Sequence, residues 1–167
     1  MMVVTKRLDR RQFVSLLGTG VAVGLAGCSA SGSTTEPEYD SGDIPGEPDG
    51  EERTPEEMTT AEALAEQGAQ DDLITVSGLS ITNHEFVFEE GYTGSTVQGT
   101  VENTVGKRIE TAEVRIRVYN DDGEQLGPYL DTTNDFDSGT EWSFEVILLE
   151  APADIADYDI AVVGLPD

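Results

Sequence analysis

Apolar and polar residues alternate in several short segments of the C-terminal part of the chain, and this pattern constrains the fold most. Val114, Ile116 and Val118 are separated by charged residues, and the segments 142–146 and 158–162 repeat the pattern. Alternation with a period of two places one face of a strand in a core and the other in water. No gap between these segments contains a convincing amphipathic helix, which disfavours parallel βαβ order. The pattern therefore predicts antiparallel β structure.

Turn-forming residues fall between the predicted strands. Further strands are indicated at 97–101 and around Phe86 and Phe88, and segment 73–82 reads as a strand with a bulge or break at Ser77-Gly78. Hairpin chemistry occurs at 90–91, 120–123 and 137–139. About seven short strands with turn signals between them predict an all-β fold, an antiparallel sandwich over residues 73–167.

The predicted sandwich resembles a known module. Residues 101–104, the strand and hairpin at 114–123, and Ser138-Gly139 before Trp142 together resemble the FxLYD domain, an immunoglobulin-like module of prokaryotic surface lipoproteins. Ile116-Arg117-Val118-Tyr119-Asn120 stands for Phe-x-Leu-Tyr-Asp, with the tyrosine retained. The resemblance spans about residues 73–164 and implies an immunoglobulin-like fold and a surface setting. The family has no assigned reaction, so the resemblance implies no catalytic residue.

A second, shorter resemblance lies near the C-terminus. Residues 154–158 read Asp-Ile-Ala-Asp-Tyr, which resembles the tyrosine corner of immunoglobulin domains. Trp142 lies later in the chain than the core tryptophan of those domains. A surface turn with a half-buried Tyr158 is the alternative interpretation.

The N-terminus is typical of an export signal. Residues 6–12 are basic and polar, and residues 13–27 form an apolar run without a charge. A membrane-spanning helix needs roughly 20 apolar residues, so this run is too short for a permanent span. We therefore expect residues 1–27 to be a cleaved leader.

Paired arginines precede the apolar run. Arg10-Arg11-Gln12-Phe13-Val14 resembles the core of a twin-arginine export signal, in which two arginines are followed by an arbitrary residue and an apolar pair. This resemblance implies that Arg10 and Arg11 direct export through the twin-arginine route. The general secretory route is the alternative.

The only cysteine of the chain ends the apolar run. Leu25-Ala26-Gly27-Cys28 resembles the lipobox of lipoproteins, in which the cysteine receives a diacylglyceryl thioether and becomes the first mature residue. A two-chain lipid holds a protein stably to a membrane. The resemblance therefore implies a membrane-anchored protein on the extracytoplasmic face. An inert thiol buried in a transmembrane helix is the alternative.

Residues 28–72 are predicted to be the lipidated cysteine followed by a disordered acidic linker. Residues 29–72 are rich in acids, contain four prolines and have few large apolar side chains. Thr54-Pro55-Glu56-Glu57 has the form of a capping box, which predicts a short helix over residues 55–67. That helix is interpreted either as transient and solvated, or as a docking helix for a partner or for the following domain.

The charge of the chain excludes one class of partner. The chain has 34 acidic and 9 basic residues, a net charge of -25 and a pI of about 4.1. Nucleic-acid binding needs clustered lysine and arginine, so we expect no nucleic-acid partner. Abundant Asp and Glu with few lysines resembles the proteins of salt-loving archaea.

Few residues of the chain offer chemistry for catalysis. His84 is the only histidine, no G-x-S-x-G segment occurs, and one cysteine cannot form an internal disulfide. We interpret His84 as an exposed loop residue and predict a non-enzyme without cofactors, so a hydrolase is disfavoured. Asp121, Asp122 and Glu124 leave calcium binding as an alternative, although their spacing is not that of a calcium loop.

The sequence thus predicts a lipid-anchored surface lipoprotein of a haloarchaeon. The β-sandwich is expected to act as a non-catalytic binding or structural module for an unknown protein or small-molecule partner. A calcium-binding accessory subunit of a membrane complex is the alternative function.

Overall fold

The structure, a computed structural model, describes residues 36–46 and 50–167. Its regular elements follow one another along the chain as β1 (Asp40–Gly42), α1 (Pro55–Ala65), β2 (Leu79–Phe88), β3 (Ser95–Asn103), β4 (Ile109–Tyr119), β5 (Gln125–Phe136), β6 (Glu141–Ile147), a 3-10 turn (Pro152–Asp154) and β7 (Asp157–Pro166). Within these residues, no helix has the length and apolar character needed to cross a membrane.

The strands form two antiparallel sheets. One sheet has the order β1-β7-β4-β5, and the other has the order β2-β3-β6. Short turns with glycines at positive φ join β4 to β5 at Gly123 and β5 to β6 at Gly139, as the turn chemistry predicted. The predicted all-β, immunoglobulin-like antiparallel sandwich is confirmed.

The core lies between the two sheets and is built from the alternating side chains. Val114, Ile116 and Val118 of β4 are fully buried, and Phe144 and Val146 of β6 face them from the other sheet's side of the core. The predicted inward faces of β4 and β6 are therefore correct. Burial of these aliphatic and aromatic side chains supplies the main driving force for folding.

The folded part of the chain begins earlier than residue 73. Strand β1 pairs with β7, with Asp40 opposite Ile160 and Gly42 opposite Tyr158. The seventh strand therefore comes from the predicted linker, and only six strands lie in residues 73–167. The prediction of a disordered linker is corrected for its described residues, 36–46 and 50–72, since these contain β1 and α1; residues 28–35 and 47–49 lie outside the described residues.

Helix α1 forms where the capping box predicted it, although it ends at Ala65 rather than at residue 67. The Thr54 hydroxyl accepts a hydrogen bond from the amide of Glu57, and the Glu57 carboxylate accepts one from the amide of Thr54. Ala61 is fully buried, and the helix contacts β6. Of the two interpretations, the structure favours a helix docked on the following domain.

The outer face of β4 and β7 is covered by residues that precede the sandwich. Glu113 is completely buried, and its carboxylate accepts hydrogen bonds from the Arg115 side chain at 2.5 Å and from the Gln70 amide at 3.3 Å. Arg115 in turn donates to the carbonyl of Gln70 at 2.6 Å. Opposite Glu113 in the register, Val163 is also buried. The alternation in β7 therefore fails after Ile160, because both of its faces are covered there.

We predict that Gly42→Ala detaches β1 from the sheet. A Cβ on Gly42 would overlap the aromatic ring of Tyr158, so β1 cannot keep its place beside β7. Overpacking of this kind lowers the free energy of unfolding by about 1 to 3 kcal/mol. Hydrogen exchange of the Ile160 amide and denaturant unfolding of the variant measure the change.

Gly68→Ala is the matched control, because a Cβ at Gly68 meets no atom within 4 Å. The prediction would be refuted if Gly42→Ala had the same hydrogen-exchange rate and the same free energy of unfolding as this control, because β1 would then not depend on the close contact between Gly42 and Tyr158.

Candidate functional site

The residues predicted to direct export and lipidation are Arg10, Arg11 and Cys28. All three lie outside the described residues, so these predictions stay predictions.

The acidic trio considered for calcium lies on the β4–β5 turn. Asp121, Asp122 and Glu124 are exposed. The side-chain oxygen of Asn120 accepts hydrogen bonds from the backbone amides of Asp122 and Glu124, at 3.1 and 2.8 Å. These contacts explain the turn without an ion. Across residues 36–46 and 50–167, no group of three or more His, Cys, Asp or Glu side chains is arranged to hold a metal ion.

His84 lies on strand β2 and not in a loop, which corrects the sequence interpretation. Its Nδ1 is 2.8 Å from the hydroxyl of Tyr158, and the two rings meet edge to face. Tyr158 is buried, and burial raises the pKa of its phenol to about 12. The hydroxyl thus contacts a side chain of the opposite sheet, whereas a tyrosine corner uses nearby backbone.

A cation and two aromatic rings gather on the outer face beside β1. Arg117 pairs with Asp159 through two of its nitrogens, and the Tyr119 hydroxyl donates to the same carboxylate at 3.1 Å. The Arg117 guanidinium also lies over the Tyr39 ring, 3.6 Å from its centre. The hydrogen bond to Asp159 is the main cause that raises the pKa of Arg117. This cluster fixes residue 39, just before β1, on the sheet.

A cavity of about 140 Å³ lies between residues 51–58 and the sandwich, and it is the candidate site. Strand β3 begins with Ser95 in its wall, and Glu150 follows β6 before the 3-10 turn. Phe88, Met58 and Pro152 supply apolar wall, and the exposed Glu51 and Glu52 supply the rest of the acidic lining. We call this space the Ser95 cavity.

Two buried polar atoms of residues that line the Ser95 cavity have no hydrogen-bond partner. Ser95 is 1% exposed, and neither its hydroxyl nor Oε2 of Glu150 makes a hydrogen bond with the described residues. The other carboxylate oxygen, Oε1, accepts the Tyr129 hydroxyl at 2.7 Å. Burial, followed by this hydrogen bond, raises the pKa of Tyr129, so the phenol stays protonated and donates.

Arg53 lines the same cavity without pairing with Glu150. Its Nε donates to the carbonyl of Tyr92 at 2.8 Å, and Nη2 donates to that of Thr93 at 2.6 Å. Burial lowers the pKa of Arg53, although the nearby Tyr129 and Glu150 oppose this shift. Gly94 has a φ of +57°, and a Cβ there would collide with the Arg53 guanidinium. Arg53 thus fastens the segment before α1 to the β2–β3 loop.

Sequence reasoning missed the Ser95 cavity. Ser95 and Glu150 are separated by 55 positions and have no motif around them. Arg53 offered the only signal, as the single basic residue in the acidic stretch before the sandwich.

Comparison with known proteins finds one relative and no family. No family model matches the chain, and no solved structure matches it. The chain is similar to the uncharacterized protein MJ0360 of Methanocaldococcus jannaschii, with 31% identity over 86 residues. The match covers 50% of this chain and 63% of that protein's length.

We predict that Ser95→Ala stabilises the protein. An unsatisfied buried hydroxyl costs about 1 to 3 kcal/mol, so its removal should raise the free energy of unfolding by about 1 kcal/mol. Denaturant unfolding measures this change, with Ser80→Ala, at an exposed position of β2, as the control. A loss of stability in Ser95→Ala relative to the control would mean that the hydroxyl is satisfied.

Proposed function

We propose that the protein is a lipid-anchored lipoprotein on the extracytoplasmic face of the membrane, and that its sandwich is a non-catalytic binding module. The position of the only cysteine carries the anchor: Cys28 follows Leu-Ala-Gly at the end of an uncharged apolar run. The Ser95 cavity supports the binding role, because it is a concave site of about 140 Å³ with both polar and apolar lining residues.

The contacts of Tyr39 and β1 limit the length of chain between the sandwich and the proposed anchor. Tyr39 is the first residue held on the sandwich by a side-chain interaction among those described, and it lies eleven positions after Cys28 in the sequence. A chain segment of this length spans at most about 40 Å.

The acidic composition supports export to a salt-rich medium. The described domain is strongly acidic, and like charges on one surface repel each other in dilute salt. At molar salt the Debye length falls to about 3 Å, which removes most of this repulsion. A halophilic archaeal source would account for this composition, and the similarity to a protein of an archaeon supports the archaeal part of that proposal.

We predict that the native product begins at Cys28 and bears a diacylglyceryl group. Intact-mass analysis of the protein from native membranes should give the mass of residues 28–167 plus a two-chain lipid. Cys28→Ser should lose the lipid and leave the membrane fraction. Arg108→Ser, an exposed change within the sandwich, is the control that should stay membrane-bound. An unmodified thiol with the leader still attached would refute the anchor.

We also predict that salt stabilises the protein. The thermal midpoint should rise when dilute buffer is replaced by molar KCl, because counterions screen the repulsion among the carboxylates. Calorimetry over a range of KCl concentrations measures the midpoint. A midpoint that does not change with salt would contradict the halophilic origin and leave the lipid anchor untouched.

A further inference from the structure

We propose that the sandwich rests on the membrane by one of its two ends, with Lys107 and Arg108 against anionic lipid headgroups, and presents its other end outward. The inference deepens the proposed function, because it rests on an attachment to the membrane at Cys28 and names the surface that meets the lipid.

The strand directions collect the loops at two opposite ends of the sandwich. Residues 73–78, 104–108 and 137–140 lie at the end where β4 begins, because Ile109 pairs with Phe136 of β5 and with Pro166 of β7. We call this the β3–β4 end. Residues 89–94, 120–124 and 148–156 lie at the end where β4 finishes and β7 begins, which we call the β4–β5 end.

The two ends differ in charge. The loops of the β3–β4 end contain two bases, Lys107 and Arg108, and one acid, Asp137. A surface of anionic lipids attracts Lys and Arg and repels carboxylates. The β3–β4 end is therefore the one that such a surface would accept. The loops of the β4–β5 end contain no base and seven acids: Glu89, Glu90, Asp121, Asp122, Glu124, Glu150 and Asp154.

The two bases are accessible to a lipid headgroup. The Arg108 side chain is 43% exposed and pairs with Asp135 and Asp167, whose side chains are 72% and 61% exposed. Exposed ion pairs of this kind contribute little to stability, so a lipid phosphate can take the place of a carboxylate on the guanidinium. Lys107 is exposed and donates to the backbone carbonyl of Asp167 at 2.6 Å, which leaves its charge unneutralised by that contact.

Apolar side chains lie at the same end as the two bases. Ile74, which pairs with Gly164 near the end of β7, is 45% exposed, and Val105 in the β3–β4 loop is partly exposed. Protein segments that lie in a membrane interface combine apolar side chains with Lys and Arg. The composition of the β3–β4 end therefore fits a lipid surface better than it fits open solvent.

The direction of the chain favours the same orientation. Because β1 is antiparallel to β7, the chain before Asp40 runs toward the β3–β4 end. Glu36, the first described residue, lies eight positions after Cys28, so the chain between them spans at most about 29 Å. A strand rises about 3.4 Å per residue, and a chain that ran back along β7 to the other end would use most of this length.

This orientation also places the candidate site. Ser95 begins β3 directly after the loop 89–94, and Glu150 belongs to the loop 148–156. The Ser95 cavity thus lies at the β4–β5 end and would face away from the membrane, where a partner in the medium can reach it.

The test measures which end lies near the lipid. The chain from Cys28 to Asp167, the proposed mature product, is coupled through its only cysteine to a maleimide lipid in nanodiscs of phosphatidylglycerol that contain a headgroup spin label. NMR in KCl sufficient to keep the chain folded follows exposed turn glycines at both ends. We expect the amide signals of Gly106 and Gly139 to broaden severalfold more than those of Gly91 and Gly123.

Charge variants test the role of the two bases. Lys107→Gln combined with Arg108→Gln should reduce the difference in broadening between the two ends, although the coupled lipid keeps this variant on the nanodisc. Ser80→Glu combined with Ser143→Glu changes the net charge equally at exposed positions of the second sheet and should keep the wild-type difference. The dispersion of the amide signals reports whether each variant is folded.

Equal broadening at both ends, or stronger broadening of Gly91 and Gly123, would overturn the orientation. An unchanged difference in the double glutamine variant, or the same difference on nanodiscs of neutral phosphatidylcholine, would overturn the contact of Lys107 and Arg108 with anionic headgroups. Because the coupling supplies the attachment, these results do not depend on whether cells lipidate Cys28. The mass of the native product tests that separately.

Discussion

Burial of β4 and β7 on both faces is the constraint on which the rest of the structure depends. Their inner faces form the core with the second sheet, which any sandwich achieves. Their outer faces carry the buried Glu113, and a buried carboxylate is stable only when it is paired and hydrogen-bonded. Arg115 and the backbone of Gln70 meet that need. The residues before the sandwich are thus part of the fold, and removing them would expose a carboxylate together with apolar surface.

The sequence could predict the inner face of the sandwich and could not predict the outer one. Val114, Ile116 and Val118 stand out because charged residues separate them, and the structure buries all three. The same rule assigns Glu113 to water, yet it is buried by Gln70, a residue 43 positions earlier. The sequence gives no clear signal for strand β5, since Gly127 and Pro128 near its start are typical of turns, yet an edge strand tolerates them. Local sequence patterns carry no information on which distant residues will bury the outer face of a strand.

The acidic linker shows that amino-acid composition does not predict individual contacts. Its many carboxylates and prolines are typical of disordered chains. However, three specific interactions hold its described residues on the sandwich. The Tyr39 ring lies against the Arg117 guanidinium, Gly42 packs on the Tyr158 ring, and Arg53 donates a hydrogen bond to the β2–β3 loop. Each involves an aromatic ring, a glycine or the single base of the segment, residues that are rare there and therefore weigh little in a compositional average. Each of these contacts lowers the entropic cost of forming the next one, so together they hold residues 39–46 and 50–53 on the sandwich.

The Ser95 cavity forms because the acidic linker packs on the sandwich. Residues 51–53 and Met58 line it together with Ser95 and Glu150 of the sandwich. Ser95 Oγ and Glu150 Oε2 are buried without a hydrogen-bond partner in the described residues, which carries a desolvation cost. Because the same segment continues toward Cys28, the site and the proposed membrane anchor are linked through one stretch of chain. A pull on the proposed anchor would act first on the contact of Tyr39 with Arg117 and then on β1, an edge strand of three residues.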